Sequence, residues 1–155
     1  MKLGDILTES LIKFPLEKNN KTDIIVELIR LLEPTGVLLN VDNVIKAVLD
    51  REKIMSTGIG NSVAIPHGKT KDVQSIVVSL GISAEDVDFE SLDGKPVRII
   101  FMLVGPEKPA SDHIKMLSRI SRLCNPPAFR KKLLEAASSA EILQLIREEE
   151  ASIDS

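Results

Sequence analysis

Two uninterrupted apolar segments constrain the fold of this chain more than any other feature. They are SIVVSLGI at 75–82 and VRIIFMLVG at 97–105. Their apolar residues are consecutive rather than alternating, which predicts strands that are buried on both faces. The SLDGKP segment between them contains an Asp93-Gly94 turn signal. Such strands need covering helices, so the chain is expected to form an α/β or α+β layered sheet covered by helices.

Amphipathic segments on either side of these strands predict the helices. Before the strands, KTDIIVELIRLLE (21–33) has Thr22 as its expected N-cap, and VDNVIKAVLDRE (41–52) ends near Arg51. After the strands, SDHIKMLSRISRLC is expected to be capped by Ser111 or Asp112. Two shorter helices follow at 128–137 and 140–150, and ASIDS (151–155) is expected to be a frayed, flexible tail. Residues 1–150 are expected to form a single domain.

Composition excludes several classes of function. The net charge is −3, and Tyr and Trp are absent, which argues against a nucleic-acid-binding surface. The longest apolar run, IIFMLV at 99–104, is far shorter than the ~20 residues of a membrane-spanning helix, so no direct membrane insertion is expected. The N-terminus has no signal-peptide core, and the lone Cys124 cannot form an internal disulfide. A cytoplasmic protein is therefore expected.

The segment GNSVAIPHGKT (60–70) contains the strongest candidates for chemistry. Its Gly68-Lys69-Thr70 ending is similar to the end of a nucleotide-binding P-loop, but Val63 stands where that motif requires glycine. The motif also requires a helix that opens at the lysine, whereas the residues that follow soon lead into a strand. Nucleotide binding is therefore disfavoured.

A metal site and a cysteine nucleophile are also disfavoured. The chain contains only two histidines, His67 and His113, and no cysteine cluster. Cys124 lies on the apolar side of a predicted helix, where a small buried core residue is the simpler interpretation. No metal, nucleotide or other cofactor is expected.

His67 is the remaining candidate. Pro66 before it restricts the backbone, and Gly68 after it permits the close approach of another molecule. Upstream, STGIGN (56–61) is rich in backbone N–H groups and hydroxyls, which can form a concave nest that attracts anions. The expected phosphoryl-binding residues in this loop are Ser56, Thr57, Gly58, Gly60 and Asn61. A rigidly presented imidazole beside an anion site favours a phosphohistidine. The alternative is a loop histidine without a role.

Arg51 and His113 are candidates for stabilising a phosphoryl group on His67. Each also has a structural explanation from the sequence alone. Arg51 could interact with the dipole at the end of its helix, and His113 could be a buried histidine that helps the helix pack. The residue pattern leaves both alternatives open.

The segment REKIMSTGIGNSVAIPHGKT (51–70) resembles the active-site segment of the fructose/mannitol-class enzyme IIA of the bacterial phosphoenolpyruvate-dependent phosphotransferase system. Three further segments resemble the same family in the same order, so the resemblance covers nearly the whole chain. They are GVLLNVDNVIKAVLDRE, VDFESLDGKPVRIIFMLVGPE and HIKMLSRISRLC…FRKKLLEA. The resemblance implies a single IIA domain with an α/β fold, in which a mixed central sheet is flanked by helices on both faces.

The same resemblance implies the roles of the site residues and the partners. His67 would be the phosphorylated residue, and Arg51 and His113 would stabilise the phosphoryl group beside it. The donor would be a histidine-phosphorylated carrier protein of the HPr type, and the acceptor the IIB component of a sugar permease. The family includes a nitrogen-regulatory branch, in which the phosphorylation state controls binding to regulatory target proteins. No metal or nucleotide is implied.

Overall fold

A single mixed sheet forms the centre of the molecule in the computed structural model, which describes residues 1–154. Its strands are β1 Ile12–Lys13, β2 Gly58–Gly60, β3 Val63–Ala64, β4 His67–Lys69, β5 Val77–Val87 and β6 Val97–Gly105. The strand order is β1-β5-β6-β3-β2, and β4 also pairs with β6. β5 and β6 are antiparallel, whereas β3 and β4 both run parallel to β6. The prediction of a mixed central sheet is confirmed.

The two apolar segments of the sequence form the middle of this sheet. β6 matches the predicted range, and every residue from Ile99 to Gly105 is buried, as are Val77 to Ser83 of β5. Successive side chains of a strand point to opposite faces, so unbroken burial means that both faces are covered. β5 begins two residues later than predicted and continues to Val87, which pairs with Val97 of β6 beyond a shift in register after Ile82.

Helices cover the sheet in two groups. Their ranges are α1 Leu3–Ile6, α2 Lys21–Leu31, α3 Val41–Ile54, α4 Ala110–Leu123, α5 Pro127–Glu135 and α6 Ser139–Asp154. α2 packs against α3, while α6 packs against α1, α4 and α5. β6 contacts α2 from the first group and α4 from the second, as expected for a sheet with helices on both faces. Within residues 1–154, no helix combines the length and the apolar character needed to cross a membrane.

The predicted N-caps of two helices are wrong. Asn20, not Thr22, caps α2, because its side-chain oxygen accepts a hydrogen bond from the Asp23 backbone N–H at 3.0 Å. Neither Ser111 nor Asp112 caps α4, which begins one residue earlier and has Pro109 at the cap position without a side-chain cap bond. Proline has no side-chain acceptor, so the first backbone N–H groups of α4 have no side-chain cap.

The frayed tail expected for residues 151–155 is helical over residues 151–154, while Ser155 lies outside the described residues. Arg119 of α4 explains why the last turn of α6 stays ordered. Its Nε donates to Glu150 and its Nη2 donates to Asp154, each at 2.6 Å. The guanidinium therefore joins the end of α6 to α4.

Candidate active site

His67 is the first residue of β4 and not a loop residue, and it is paired in register with Leu103 of β6. Its ring Nδ1 lies 2.8 Å from the backbone oxygen of Ile65. A carbonyl oxygen can only accept a hydrogen bond, so Nδ1 carries the proton in the neutral ring. The lone pair of the imidazole is therefore on Nε2, which makes Nε2 the nucleophilic atom of this side chain.

His113 lies beside His67 although the two are far apart in the sequence. Their ring centroids are 5.6 Å apart, and the ring planes are inclined at 58°. His113 is 3% exposed, and neither of its ring nitrogens has a hydrogen-bond partner within residues 1–154. Gly105, at the end of β6, lies beside the ring, since a Cβ built there would be 3.5 Å from His113 Nδ1, an ordinary van der Waals distance.

Arg51 reaches the same region from the last turn of α3. The helix packs closely on β4 because a Cβ built at Gly68 would be 3.0 Å from a methyl carbon of Val48, about one helical turn before Arg51. The guanidinium is half-buried, and its Nη1 donates to the Met55 backbone oxygen at 3.2 Å. The structure thus places His67 and His113 side by side, and the charge of Arg51 is close enough to act on His67. That the three residues act together on a phosphoryl group stays a prediction.

Burial keeps both imidazoles neutral at physiological pH. Burial is the main reason that the pKa of His67 is lowered, and the charge of Arg51 contributes in the same direction. The pKa of His113 falls to about 4, first because of burial and then because a positive charge on its ring is disfavoured beside His67 and the Lys69 ammonium. A neutral His67 offers the lone pair that a nucleophile needs, and a neutral His113 offers one N–H donor.

The predicted phosphoryl-binding loop at 56–61 is largely engaged in internal hydrogen bonds. The Ser56 hydroxyl donates to the Phe89 backbone oxygen at 2.7 Å and accepts from the Gly58 N–H. The backbone N–H and the hydroxyl of Thr57 both donate to Glu52, at 2.8 and 2.5 Å. The remaining predicted residues lie in a hairpin, with Gly58 and Gly60 in β2 and a positive φ of 58° at Asn61. Their contact with a phosphoryl group stays a prediction.

The alternatives that the sequence disfavours find no support in the geometry. Gly68 and Lys69 belong to β4, and a turn rather than a helix follows them, unlike in a P-loop. Cys124 is buried, and burial raises the pKa of its thiol to about 12, so it stays protonated. The side chains in residues 1–154 include no group of three or more metal-binding residues placed to hold an ion.

Sequence reasoning overlooked Glu52, although its neighbour Arg51 is a predicted site residue. Glu52 is 6% exposed, and its carboxylate forms an ion pair with Lys21 of α2 at 2.8 Å. A signal was present, because Glu52 follows Val44 and Val48 at four-residue spacing and therefore lies on the buried stripe of α3. A carboxylate at such a position requires buried partners.

Comparison with known protein families identifies the chain. Residues 5–149 match the family model described as the phosphoenolpyruvate-dependent sugar phosphotransferase system, EIIA 2. The chain is 38% identical over 148 residues to the fructose-specific EIIABC component of Bacillus subtilis, of whose length it spans 23%. It is also 35% identical to a nitrogen regulatory protein of Bradyrhizobium diazoefficiens, and that alignment covers 94% of this chain and 95% of the relative.

Solved structures agree with the sequence relatives. The nitrogen regulatory protein IIA-Ntr from Neisseria meningitidis superimposes with a TM-score of 0.87 at 33% identity, over 93% of this chain and 98% of that one. IIA mannitol from Escherichia coli has the same fold, with a TM-score of 0.78 at 22% identity over 90% of this chain and 98% of that one. The chain therefore belongs to the type-2 enzyme IIA family of the phosphoenolpyruvate-dependent sugar phosphotransferase system.

Proposed function

We propose that this chain accepts a phosphoryl group on Nε2 of His67 from an HPr-type phosphocarrier and passes it to a IIB component of the fructose/mannitol class. The observation that carries the proposal is the state of the two histidines. The Ile65 carbonyl holds the proton of His67 on Nδ1, and the adjacent His113 is buried with both ring nitrogens unpartnered within residues 1–154. One imidazole thus has a free lone pair, and the other has free hydrogen-bonding capacity.

The transfer step requires neither a cofactor nor an external base. The Nε2 lone pair of His67 attacks phosphorus and forms the new N–P bond, while the N–P bond of the donor histidine breaks. The electron pair of the broken bond returns to the ring nitrogen of the donor, which leaves as a neutral imidazole. His67 retains its Nδ1 proton and acquires positive charge on the ring, which the Ile65 carbonyl stabilises. Transfer to IIB is the same step with His67 as the leaving group.

Arg51 and His113 stabilise the phosphoryl group during this step. Charge spreads over the phosphoryl oxygens in the loose transition state, so nearby donors and cations lower the barrier. Arg51 supplies the cation from α3, and neutral His113 supplies an N–H from α4. The site is built before the phosphoryl group arrives, which avoids the cost of reorganising it during the reaction.

The surface beside the site suits a protein partner. Ile54, Met55 and Ile59 are exposed on the segment that follows Arg51, and the exposed Leu92 lines the same surface cavity as Met55. Large exposed apolar side chains that cluster on a soluble domain mark interaction surfaces. We assign this apolar rim to the docking of both the phosphocarrier and the IIB component, which would meet the chain in the cytoplasm. A complex of IIA mannitol with phosphorylated IIB mannitol is known among proteins that share this fold.

Incubation with phosphoenolpyruvate, enzyme I and an HPr-type carrier tests the proposal. We expect an acid-labile, base-stable phosphate on the wild-type chain. His67→Ala should take up none, whereas His113→Gln should still take up phosphate but slowly. Full labelling of folded His67→Ala would show that another residue is the acceptor.

The role of Arg51 is tested against its neighbour Lys53. Arg51→Gln should slow phosphoryl transfer by roughly 10- to 1000-fold, because it removes a cation that stabilises the transition state. Lys53→Gln removes an exposed charge two residues away and should leave the rate within about twofold of the wild type. Equal rates for the two variants would remove Arg51 from the mechanism.

The alternative function is regulatory. In this alternative the phosphate on His67 adds negative charge that changes which regulatory protein docks on the apolar rim. The relatives named nitrogen regulatory protein favour this alternative. Rapid transfer from the phosphorylated chain to a purified fructose- or mannitol-class IIB would support transport. The regulatory function would be supported if the phosphorylated chain does not transfer its phosphate to IIB but binds a regulatory protein more strongly or more weakly than the unphosphorylated chain does.

A further inference from the structure

A buried series of hydrogen bonds connects α2 to His67. Lys21 Nζ donates to Glu52 at 2.8 Å, and Glu52 accepts both the N–H and the hydroxyl of Thr57. The Thr57 carbonyl accepts the Ile65 N–H at 3.0 Å, and the Ile65 carbonyl accepts Nδ1–H of His67 at 2.8 Å. Each of these hydrogen bonds shares a residue with the next one. The last of them, from Nδ1–H to the Ile65 carbonyl, decides which ring nitrogen of His67 carries the proton.

The charged residues of this series of hydrogen bonds are buried, which distinguishes it from an ion pair on the surface. The side chains of Lys21 and Glu52 are 15% and 5% exposed. Both carboxylate oxygens of Glu52 are used, one by the Thr57 hydroxyl and the other by the Thr57 N–H and Lys21. A carboxylate removed from water needs hydrogen-bond donors for both of its oxygens, and these charge-assisted hydrogen bonds fix the positions of the donors.

The position of Glu52 connects the network to the rest of the site. It directly follows Arg51 in α3, and the segment it holds through Thr57 is the one whose Met55 carbonyl accepts from Arg51. Displacement of Thr57 therefore disturbs two things at once, namely the carbonyl that orients His67 and the segment beside the guanidinium. The phosphoryl-transfer step itself uses neither Glu52, Thr57 nor Lys21 directly.

We propose that the Lys21–Glu52–Thr57 network positions the Ile65 carbonyl so that His67 stays in the tautomer protonated on Nδ1, with Nε2 ready to accept a phosphoryl group. These three residues are positioning residues, since none of them needs to touch the phosphoryl group. The inference rests on the proposed function, because it assigns the network to the phosphoryl acceptor. Lys21, from the first long helix of the chain, thereby becomes part of the working site.

Two pairs of variants test this inference. Thr57→Val removes the hydroxyl donor, and Thr57→Ser retains it as the conservative control. Glu52→Gln removes the negative charge and leaves one acceptor oxygen where the wild-type carboxylate uses two. Its control is Asp50→Asn, which removes an exposed carboxylate from the same helix. Circular dichroism and thermal unfolding identify the variants that remain folded. Thr57→Val removes no buried charge, so it keeps the test decisive if Glu52→Gln fails to fold.

The first readout is the pair of imidazole ¹⁵N resonances of His67 in the unphosphorylated protein. In the wild type, Thr57→Ser and Asp50→Asn, we expect Nδ1 to be protonated and Nε2 to be unprotonated. In Thr57→Val and Glu52→Gln, both resonances should move toward each other as the second tautomer becomes populated. A role confined to stability would leave these resonances unchanged in a folded variant.

The second readout is the rate of phosphorylation by the phosphocarrier. Thr57→Val and Glu52→Gln should be slower by about tenfold or more, because the nucleophilic nitrogen is misplaced or protonated for part of the time. Thr57→Ser and Asp50→Asn should match the wild type. If either the resonances or the rate of folded Thr57→Val stay at wild-type values, the inference is overturned. A wild-type chain that takes up no phosphate would instead count against the proposed function, since the ¹⁵N readout needs no donor.

Discussion

His113 is the residue whose environment most needs an explanation. Buried polar groups are almost always hydrogen-bonded, and an unpartnered one costs on the order of 1–3 kcal/mol. His113 has two ring nitrogens without partners in residues 1–154, at 3% exposure. In the proposed phosphoryl transfer, a phosphoryl oxygen accepts a hydrogen bond from the one N–H of neutral His113, which supplies one of the two missing partners during part of the reaction cycle.

The burial of His113 makes stability depend on pH. Its folded-state pKa is about 4, below the ordinary value of 6.5, so the unfolded state takes up a proton first as the pH falls. The stabilising contribution is complete above about pH 6.5 and is lost as the pH falls toward about 4. Between about pH 7 and about pH 4.5, the wild type should lose ~2–3 kcal/mol of unfolding free energy more than His113→Gln loses.

Urea unfolding followed by circular dichroism at both pH values measures this difference. His113→Gln cannot take up the proton, so its own loss of stability serves as the baseline for all other groups. Equal losses in the two proteins would mean that His113 is already protonated, or is hydrated, in the folded state.

Part of the site could be predicted from the sequence, and part could not. His67 stands between a proline and a glycine in an unusual segment, so its special position is visible in the sequence. The pairing of His67 with His113 depends on where β6 ends and α4 begins, which no local pattern encodes. The hydroxyls of Ser56 and Thr57 suggested an anion nest, but tertiary contacts with Phe89 and Glu52 engage them inside the protein.

At the scale of elements, the contact between α3 and β4 sets the position of Arg51. The two elements approach so closely at Gly68 that a Cβ there would be 3.0 Å from a side-chain carbon of Val48 and 3.3 Å from its backbone nitrogen. The backbone contact leaves little room for a side-chain rotation to relieve the crowding. The glycine after His67 is buried and serves the packing of α3, so the close approach expected there from the sequence is made by the protein's own helix.

Gly68→Ala should push α3 away from the sheet and move Arg51 from the phosphoryl site. We expect a loss of ~1–3 kcal/mol in stability, typical of overpacking, together with slower phosphorylation. Gly36→Ala is the control, because Gly36 has a positive φ of 75° and open space around its Cβ position. It should cost ~1 kcal/mol from backbone strain and leave the phosphorylation rate unchanged.

Chemical denaturation and the initial rate of phosphorylation distinguish the two glycine variants. Should Gly68→Ala keep the wild-type rate while losing stability, the position of α3 would not control the site.

The elements themselves were predicted to different extents. The long apolar strands and amphipathic helices have clear sequence signals, and β6 and most helices appear near their predicted ranges. β1, β2 and β4 are only two or three residues long, so they have no periodicity to detect. β1 and β4 form because the long strands β5 and β6 offer them hydrogen-bond partners, whereas β2 pairs with the two-residue β3.

At the scale of the whole molecule, Glu150 joins the two ends of the chain. It is 2% exposed, and its carboxylate accepts hydrogen bonds from the backbone N–H groups of Leu3 and Gly4 and from Arg119. These contacts hold α1, α4 and α6 together in the helical group that includes the helix of His113. Sequence reasoning placed this residue at the edge of a flexible tail, although it follows the buried Ile142 and Ile146 at four-residue spacing and therefore lies on the buried stripe of α6.

Glu150→Gln should destabilise the protein by ~2–4 kcal/mol, because an amide cannot accept all of these donors and Arg119 loses its buried counter-charge. The exposed Glu135, which pairs with Lys131 at 3.9 Å, provides the control, and Glu135→Gln should change stability by less than about 0.5 kcal/mol. Phosphorylation of folded Glu150→Gln should proceed at the wild-type rate. Equal unfolding free energies for the two variants would contradict the role assigned to Glu150.

The central claim is that Nε2 of His67 is the atom that carries the phosphoryl group. The most direct measurement is ³¹P and ¹⁵N NMR of the phosphorylated chain containing ¹⁵N-labelled histidine, combined with phosphopeptide mapping at alkaline pH. We predict phosphate on the peptide that contains His67 and a one-bond nitrogen–phosphorus coupling to Nε2. Phosphate on His113, or on Nδ1 of His67, would contradict the claim.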